Sequence, residues 1–138
     1  MITILKKEQK ISSGMLLDLC DEWFETFVKF VVDIDLETMA VGGELHSDAE
    51  AILIEQGSLQ KNIWGANFYP FNPPSERLEF TSLINIRPRD DNPGMEIMDA
   101  SIRDKVRVLA EQLLLDPQEA LTPRGQHWPP GMQAWNIE

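Results

Sequence analysis

One cysteine, two histidines and one tyrosine stand among 138 residues, and each scarcity removes a class of function. A lone thiol, Cys20, forbids an internal disulfide and a multi-cysteine zinc site, and it suits a reducing compartment. Cys20 also sits among Leu19 and acidic neighbours, which disfavours a reactive thiolate and favours a buried structural role. His46 and His127 lie far apart, so the chain lacks the H-E-x-x-H pair of a zinc helix, which needs two imidazoles one turn apart. Bases are scarce too: 12 Lys and Arg against 23 Asp and Glu leave a formal charge of −11, which repels a nucleic-acid duplex at long range. No apolar run approaches the ~20 residues of a membrane span, and MITILKKEQK is no export signal. The expected partners therefore exclude nucleic acid and membranes, and the expected location is cytoplasmic. Gly42-Gly43 lacks both the Lys-Ser/Thr of a phosphate loop and the third glycine of a dinucleotide turn, and no G-x-S-x-G elbow occurs.

What is present describes one domain. With 43% hydrophobic residues the chain can bury a self-standing core. Composition shifts after residue 115: residues 116–138 hold four of nine prolines and two of four tryptophans, Trp128 and Trp135, without apolar periodicity. This predicts an α+β domain over 1–115 and an irregular Pro/Trp-containing tail over 116–138, pinned to the body or a neighbour by its tryptophans.

Within the body, Ile2–Leu5 reads as a strand. Leu16, Leu19/Cys20, Trp23 and Phe27 recur at helical spacing behind the cap Ser12 or Ser13. From Val28 the period becomes two, through Phe30, Val32 and Ile34, and a turn leads to Thr38–Val41 and Gly42-Gly43, a hairpin. Ser47-Asp48-Ala49-Glu50 has the form of a capping box opening a second helix that stops near Gly57. Strands at 63–69, 78–87 and 95–98 follow, and a last helix starts at Asp99 or Ser101 and buries Ile102, Val106, Leu109 and Leu113. The order β-α-β-β-α-β-β-β-α predicts a mainly antiparallel sheet with helices packed on one face, a two-layer α+β domain.

Strand parity separates a core face from a polar one. Even positions of the three longer strands are nearly all apolar, while odd positions carry Lys29, Asp33, Asn67, Asn85 and Arg87. That second face is either a solvated sheet surface or a recognition surface. For recognition, the asparagines would supply paired donors and acceptors and Arg87 a planar fork for a carboxylate or phosphate. The densest group of ionisable side chains is GGELHSDAE, residues 42–50. Capping accounts for Ser47, Asp48 and Glu50, which leaves Glu44 and His46 as candidate ligand-binding residues. No metal or other cofactor is expected; were a metal present, Glu44 and His46 would be its ligands. Asp33 and Asp35, flanking the hairpin turn, read more simply as solvated carboxylates than as an acid–base pair.

The segments VVDI (31–34), MAVGGELHSDAEA (39–51), IWGANFYP (63–70), LEFTSLINIRP (78–88), MEIMD (95–99) and IRDKV (102–106) resemble a family of short uncharacterised bacterial proteins, prominent in cyanobacteria. The resemblance covers most of residues 2–115 and implies a shared body but no activity and no catalytic residue. The Pro/Trp tail looks like an extension that such relatives often lack.

Three functions stay open. The leading one is a small binding or regulatory domain for an unknown small ligand or protein partner, self-associating as a homo-oligomer. The second is a metal-assisted or acid–base hydrolase using Glu44 and His46. The third is an acidic interaction protein that neutralises a basic partner through its charge. With no established catalytic motif, the balance leans against an enzyme.

Overall fold

The computed structural model describes residues 1–125. Five antiparallel strands, β1 (Ile2–Leu5), β2 (Val28–Asp33), β3 (Thr38–Gly42), β4 (Ile63–Phe68) and β5 (Leu78–Glu79), lie in the order β1-β3-β2-β4-β5. Three helices, α1 (Ser13–Glu22), α2 (His46–Glu55) and α3 (Ala100–Leu113), complete a single α+β domain. Among the described residues no helix is long and apolar enough to cross a membrane.

Local chemistry places these elements. The Ser12 hydroxyl accepts from the Met15 amide to open α1, and the Asp99 carboxylate accepts from the Ser101 amide to open α3. α3 turns Val106, Leu109, Ala110 and Leu113 inward, the face its spacing predicts. Between β2 and β3, Asp33 Oδ1 accepts from the amides of Asp35 and Leu36, both at 2.9 Å, so this carboxylate builds the hairpin turn. Gly42 is fixed by close approach: its φ is +108°, and a Cβ there would stand 2.4 Å from the Met1 carbonyl oxygen.

Alternation divides the sheet as expected on one side. Val28, Phe30 and Val32 join Met39, Val41, Trp64, Ala66 and Phe68 in one core with Leu16, Leu19 and Cys20 of α1 and the inner face of α3. Fully burying each larger apolar side chain here contributes about 1.5–3 kcal/mol. Cys20 is fully buried there and its thiol pKa is pushed up to about 12, mainly by burial, so it is a core residue rather than a nucleophile.

The other side corrects the expectation that every helix shares one face. Val31, Ala40 and Ile63 form a second, smaller core with Ala49 and Leu53 of α2. α2 therefore covers the face opposite α1 and α3, because the residues of β2, β3 and β4 beneath it, Val31, Ala40 and Ile63, are themselves small or apolar. The capping box is also not formed. Leu45 occupies the cap of α2 without a side-chain bond, His46 is its first residue and Ser47 its second.

The strand expected over 78–87 is cut to two residues. The Ser82 hydroxyl accepts from the Ile84 amide and starts a tight turn at Leu83–Asn85, which sends Ile84 toward the α2 core and leaves Ile86 exposed. The strand expected at 95–98 survives as a single bridge between Thr81 and Glu96.

Residues 116–125 are irregular yet docked. Leu121 is buried in the main core, and Arg77, itself buried, donates from Nη1 to the Asp116 carbonyl and from Nη2 to the Glu119 carbonyl. Arg124 bridges Asp18 and Asp21 on α1. The expected anchors Trp128 and Trp135, like His127, lie outside the described residues.

Candidate ligand-binding site

β5 covers only the Asn67–Phe68 end of β4, so the rest of that strand's outer edge needs other partners. Asn85 supplies them. Its Oδ1 accepts from the Gly65 amide at 2.9 Å and its Nδ2 donates to the Gly65 carbonyl at 2.9 Å, so one side chain replaces the two ladder bonds of a missing strand. Gly65 permits the approach: a Cβ there would stand 2.8 Å from the Ser82 side chain. Asn92 holds the loop that carries Asn85, donating to the carbonyls of Asn85, Gly94 and Glu96 and accepting from the Met98 amide. Arg87 closes the strand's first residues, donating from Nε to the Ile84 carbonyl, from Nη1 to the Lys61 carbonyl and from Nη2 to the Ile63 carbonyl. Its guanidinium also lies 4.1 Å from the centroid of the Trp64 ring.

The network therefore uses Asn85 completely and engages all three guanidinium nitrogens of Arg87 in holding main chain. A cleft of about 460 Å³ lies beside Arg87, with Lys61, Arg89 and Asp90 on its walls. Its central cation is held in place by carbonyls and faces Glu50, whose carboxyl is pushed up by burial and pulled back by Arg87.

The polar groups left over converge elsewhere. A cleft of about 290 Å³ opens where the cap of α2, Leu45, and its first residues, His46 and Ser47, meet Lys29 on β2, Asn67 on β4 and the segment Thr81–Ile84. Lys29 and Asn67 are register partners across β2 and β4, so their side chains leave the sheet together on the α2 side. The Lys29 ammonium stands 4.9 Å from the centroid of the Phe24 ring. Nε2 of His46 lies 2.7 Å from the Ala66 carbonyl oxygen and therefore donates its proton there. Burial, aided by the Lys29 charge, lowers the His46 pKa, so the ring is neutral at pH 7 with Nδ1 as its lone-pair atom. The Nε2–Cδ2 edge faces the sheet, Cδ2 lying closest to Gly65, and Nδ1 is on the opposite edge.

Asn67 is 8% exposed and gives Nδ2 to Glu79 Oε1 at 2.7 Å. A carboxylate accepts only, so this bond fixes which end of the amide is nitrogen. The amide lies against the His46 ring, and its interaction with that ring partly offsets the lowering of the His46 pKa. At the start of α2 no side chain caps the helix, and the Asp48 amide turns back to the Leu45 carbonyl at 3.2 Å, which leaves the His46 and Ser47 amides as the uncapped donors.

Of the five candidate residues read from the sequence, the structure brings His46 and Asn67 together, walls off Asn85, turns Arg87 to the neighbouring cleft, and leaves Glu44 exposed outside the lining. Glu44 and His46 thus do not share this cleft. Among the described residues no group of three or more His, Cys, Asp or Glu is arranged to hold a metal ion. Lys29, Ser47 and Thr81 joined the site unforeseen; the facing positions of Lys29 and Asn67 on adjacent strands were the available signal.

Fold and cleft together define a small α+β protein with a polar cleft at one helix N-terminus. Over residues 4–113 the chain matches the family described as proteins of unknown function, DUF5674, and it belongs to that family. No curated protein and no solved structure matches it.

Proposed function

We propose that this chain is a binding module for a small anion, held in the cleft by Lys29, the uncapped amides of α2 and the hydroxyls of Ser47 and Thr81. The observation that carries this reading is the meeting of the Lys29 side chain with the uncapped start of a ten-residue helix on one cleft. Backbone amides at a helix start and a nearby ammonium form a site for negative charge. The formal charge of −11 does not oppose it at close range, because exposed charges beyond a Debye length of about 8 Å are largely screened at physiological salt. The volume suits a molecule of a few heavy atoms rather than a nucleotide or peptide.

Titration of the full chain with acetate or inorganic phosphate, followed in a proton–nitrogen correlation spectrum, tests the proposal. Saturable shifts at the amides of His46, Ser47 and Lys29, lost in Lys29→Met, are expected. Shifts scattered over the surface, or equal affinity in Lys29→Met, would refute the anion site.

A further inference from the structure

The two edges of the sheet are finished differently. Along β4 and β5 the main chain is closed by Asn85, by Arg87 and by residues 95–97, where the Ile97 amide donates to the Phe80 carbonyl at 3.0 Å and the Met95 carbonyl accepts from the Ser82 amide at 3.1 Å. β1, at the other edge, pairs only with β3, in unbroken register from Ile2 opposite Gly42 to Leu5 opposite Met39. An antiparallel ladder uses alternate residues of a strand, so half of the amides and carbonyls of an edge strand aim outward. On β1 these outward groups meet no partner among the described residues, and Ile2, Thr3 and Ile4 are only half-buried. The usual guards of an open edge are missing, because the strand carries no charge, proline or bulge.

The flanks of β1 carry opposite charges. At its start Glu22 holds the Met1 ammonium and the Trp23 indole through Oε1, which leaves Oε2 without a described partner. At its end stand Lys6 and Lys7; Lys7 pairs with Glu37, and Lys6 pairs with no described carboxylate. We infer that β1 is an interface between two copies of this chain, joined edge to edge and antiparallel about a two-fold axis into one continuous sheet. Such pairing brings the end of each strand beside the start of the other and sets Lys6 of each copy against Glu22 of the other. Charge favours this edge as well. The chain carries −11, so two copies repel, yet around β1 the Met1 ammonium, Lys6 and Lys7 balance Glu8, Glu22 and Glu37. Exposed charges beyond about 8 Å are largely screened at physiological salt. Four residues a side make a small contact, so the dimer is a reversible one.

Sedimentation of the full chain from about 10 μM to about 1 mM, with amide hydrogen exchange at both ends of that range, tests the interface. The mass should climb from that of one chain toward that of two, and exchange within β1 should slow with it. Lys6→Glu sets like charges together twice per dimer and is expected to raise the dissociation constant about tenfold or more. Adding Glu22→Lys to Lys6→Glu restores opposite charges with the signs exchanged, and should recover most of the affinity. A chain that stays monomeric throughout would overturn the inference. So would a dimer whose β1 amides exchange as fast as in the monomer, since the contact would then lie elsewhere. Protection of β1 in the monomer itself would mean that another part of the same chain covers this edge, and would equally overturn it. An unchanged dissociation constant in Lys6→Glu, or no recovery in the double variant, would overturn the two-fold arrangement.

Discussion

Asn85 and Asn67 are the same residue type, one in the turn that closes the outer edge of β4 and the other on β4 itself, and their surroundings make them opposites. Asn85 is fully buried with both ends of its amide bonded to main chain, donating also to the Met95 carbonyl. Asn67 is nearly as buried, but its partners are side chains: Nδ2 donates to the Glu79 carboxylate and the amide lies against the His46 ring. Burial alone therefore says little about what a polar residue is for. A side chain that bonds only main chain holds the fold, whereas Asn67 joins side chains on the lining of a cleft.

The sharpest break of this comparison is Asn85→Ala. It strips partners from the Gly65 amide, the Gly65 carbonyl and the Met95 carbonyl at once, and is expected to cost about 3–5 kcal/mol, readable as a lowered denaturant midpoint. A cost below about 1 kcal/mol would mean water replaces the side chain readily and the strand edge does not depend on it. Ending the chain at Leu115 should cost about 2–4 kcal/mol relative to ending it at Gly125, since Leu121 leaves the core and Arg77 loses two carbonyl partners. Equal melting temperatures of the two truncations would show that residues 116–125 merely rest on the body. Arg87→Lys keeps the charge but cannot span the carbonyls of Ile84, Lys61 and Ile63, and a loss of about 1–3 kcal/mol is expected without any effect on acid binding in the smaller cleft.

The smallest effect is a pH dependence. His46 has a folded pKa below its ordinary value of 6.5, so its neutral form is favoured in the folded state. The unfolded chain binds this proton first as pH falls. The contribution to stability is thus intact above about pH 6.5, declines as pH drops below it, and levels off once the folded ring also protonates. Subtracting the stability curve of His46→Gln, whose amide can still donate to the Ala66 carbonyl, from that of the parent should isolate this step. A flat difference curve would place the folded pKa at its ordinary value.

Periodicity made the helices and the central hairpin legible: the spacing from Leu16 to Cys20 and from Val106 to Leu113, and the alternation from Val28 to Val32, are local properties that packing then reinforced. Residues 78–87 misled because their alternation imitates a strand. What cuts the strand short is a serine cap at Ser82 together with a glycine twenty positions upstream that accepts Asn85, and no local pattern reports that distant pairing. Likewise the S-D-A-E order suggested a capping box, but the glycine turn delivers the chain into α2 two residues early, with Leu45 at the cap. His46 and Asn67 were visible as polar residues without a structural task. Lys29 was visible on their face, but its place in the site needed the register between β2 and β4.

The contrast between the two asparagines can be read in one spectrum, because each carries a side-chain amide pair with its own proton–nitrogen signals. Acetate added to the full chain should move the Asn67 pair, on the cleft lining, together with the His46 and Ser47 amides, and leave the Asn85 pair and the Gly65 amide unmoved. A stationary Asn67 pair, or Asn67 and Asn85 shifting in concert, would contradict the division of this face into a completed structural network and an open binding site.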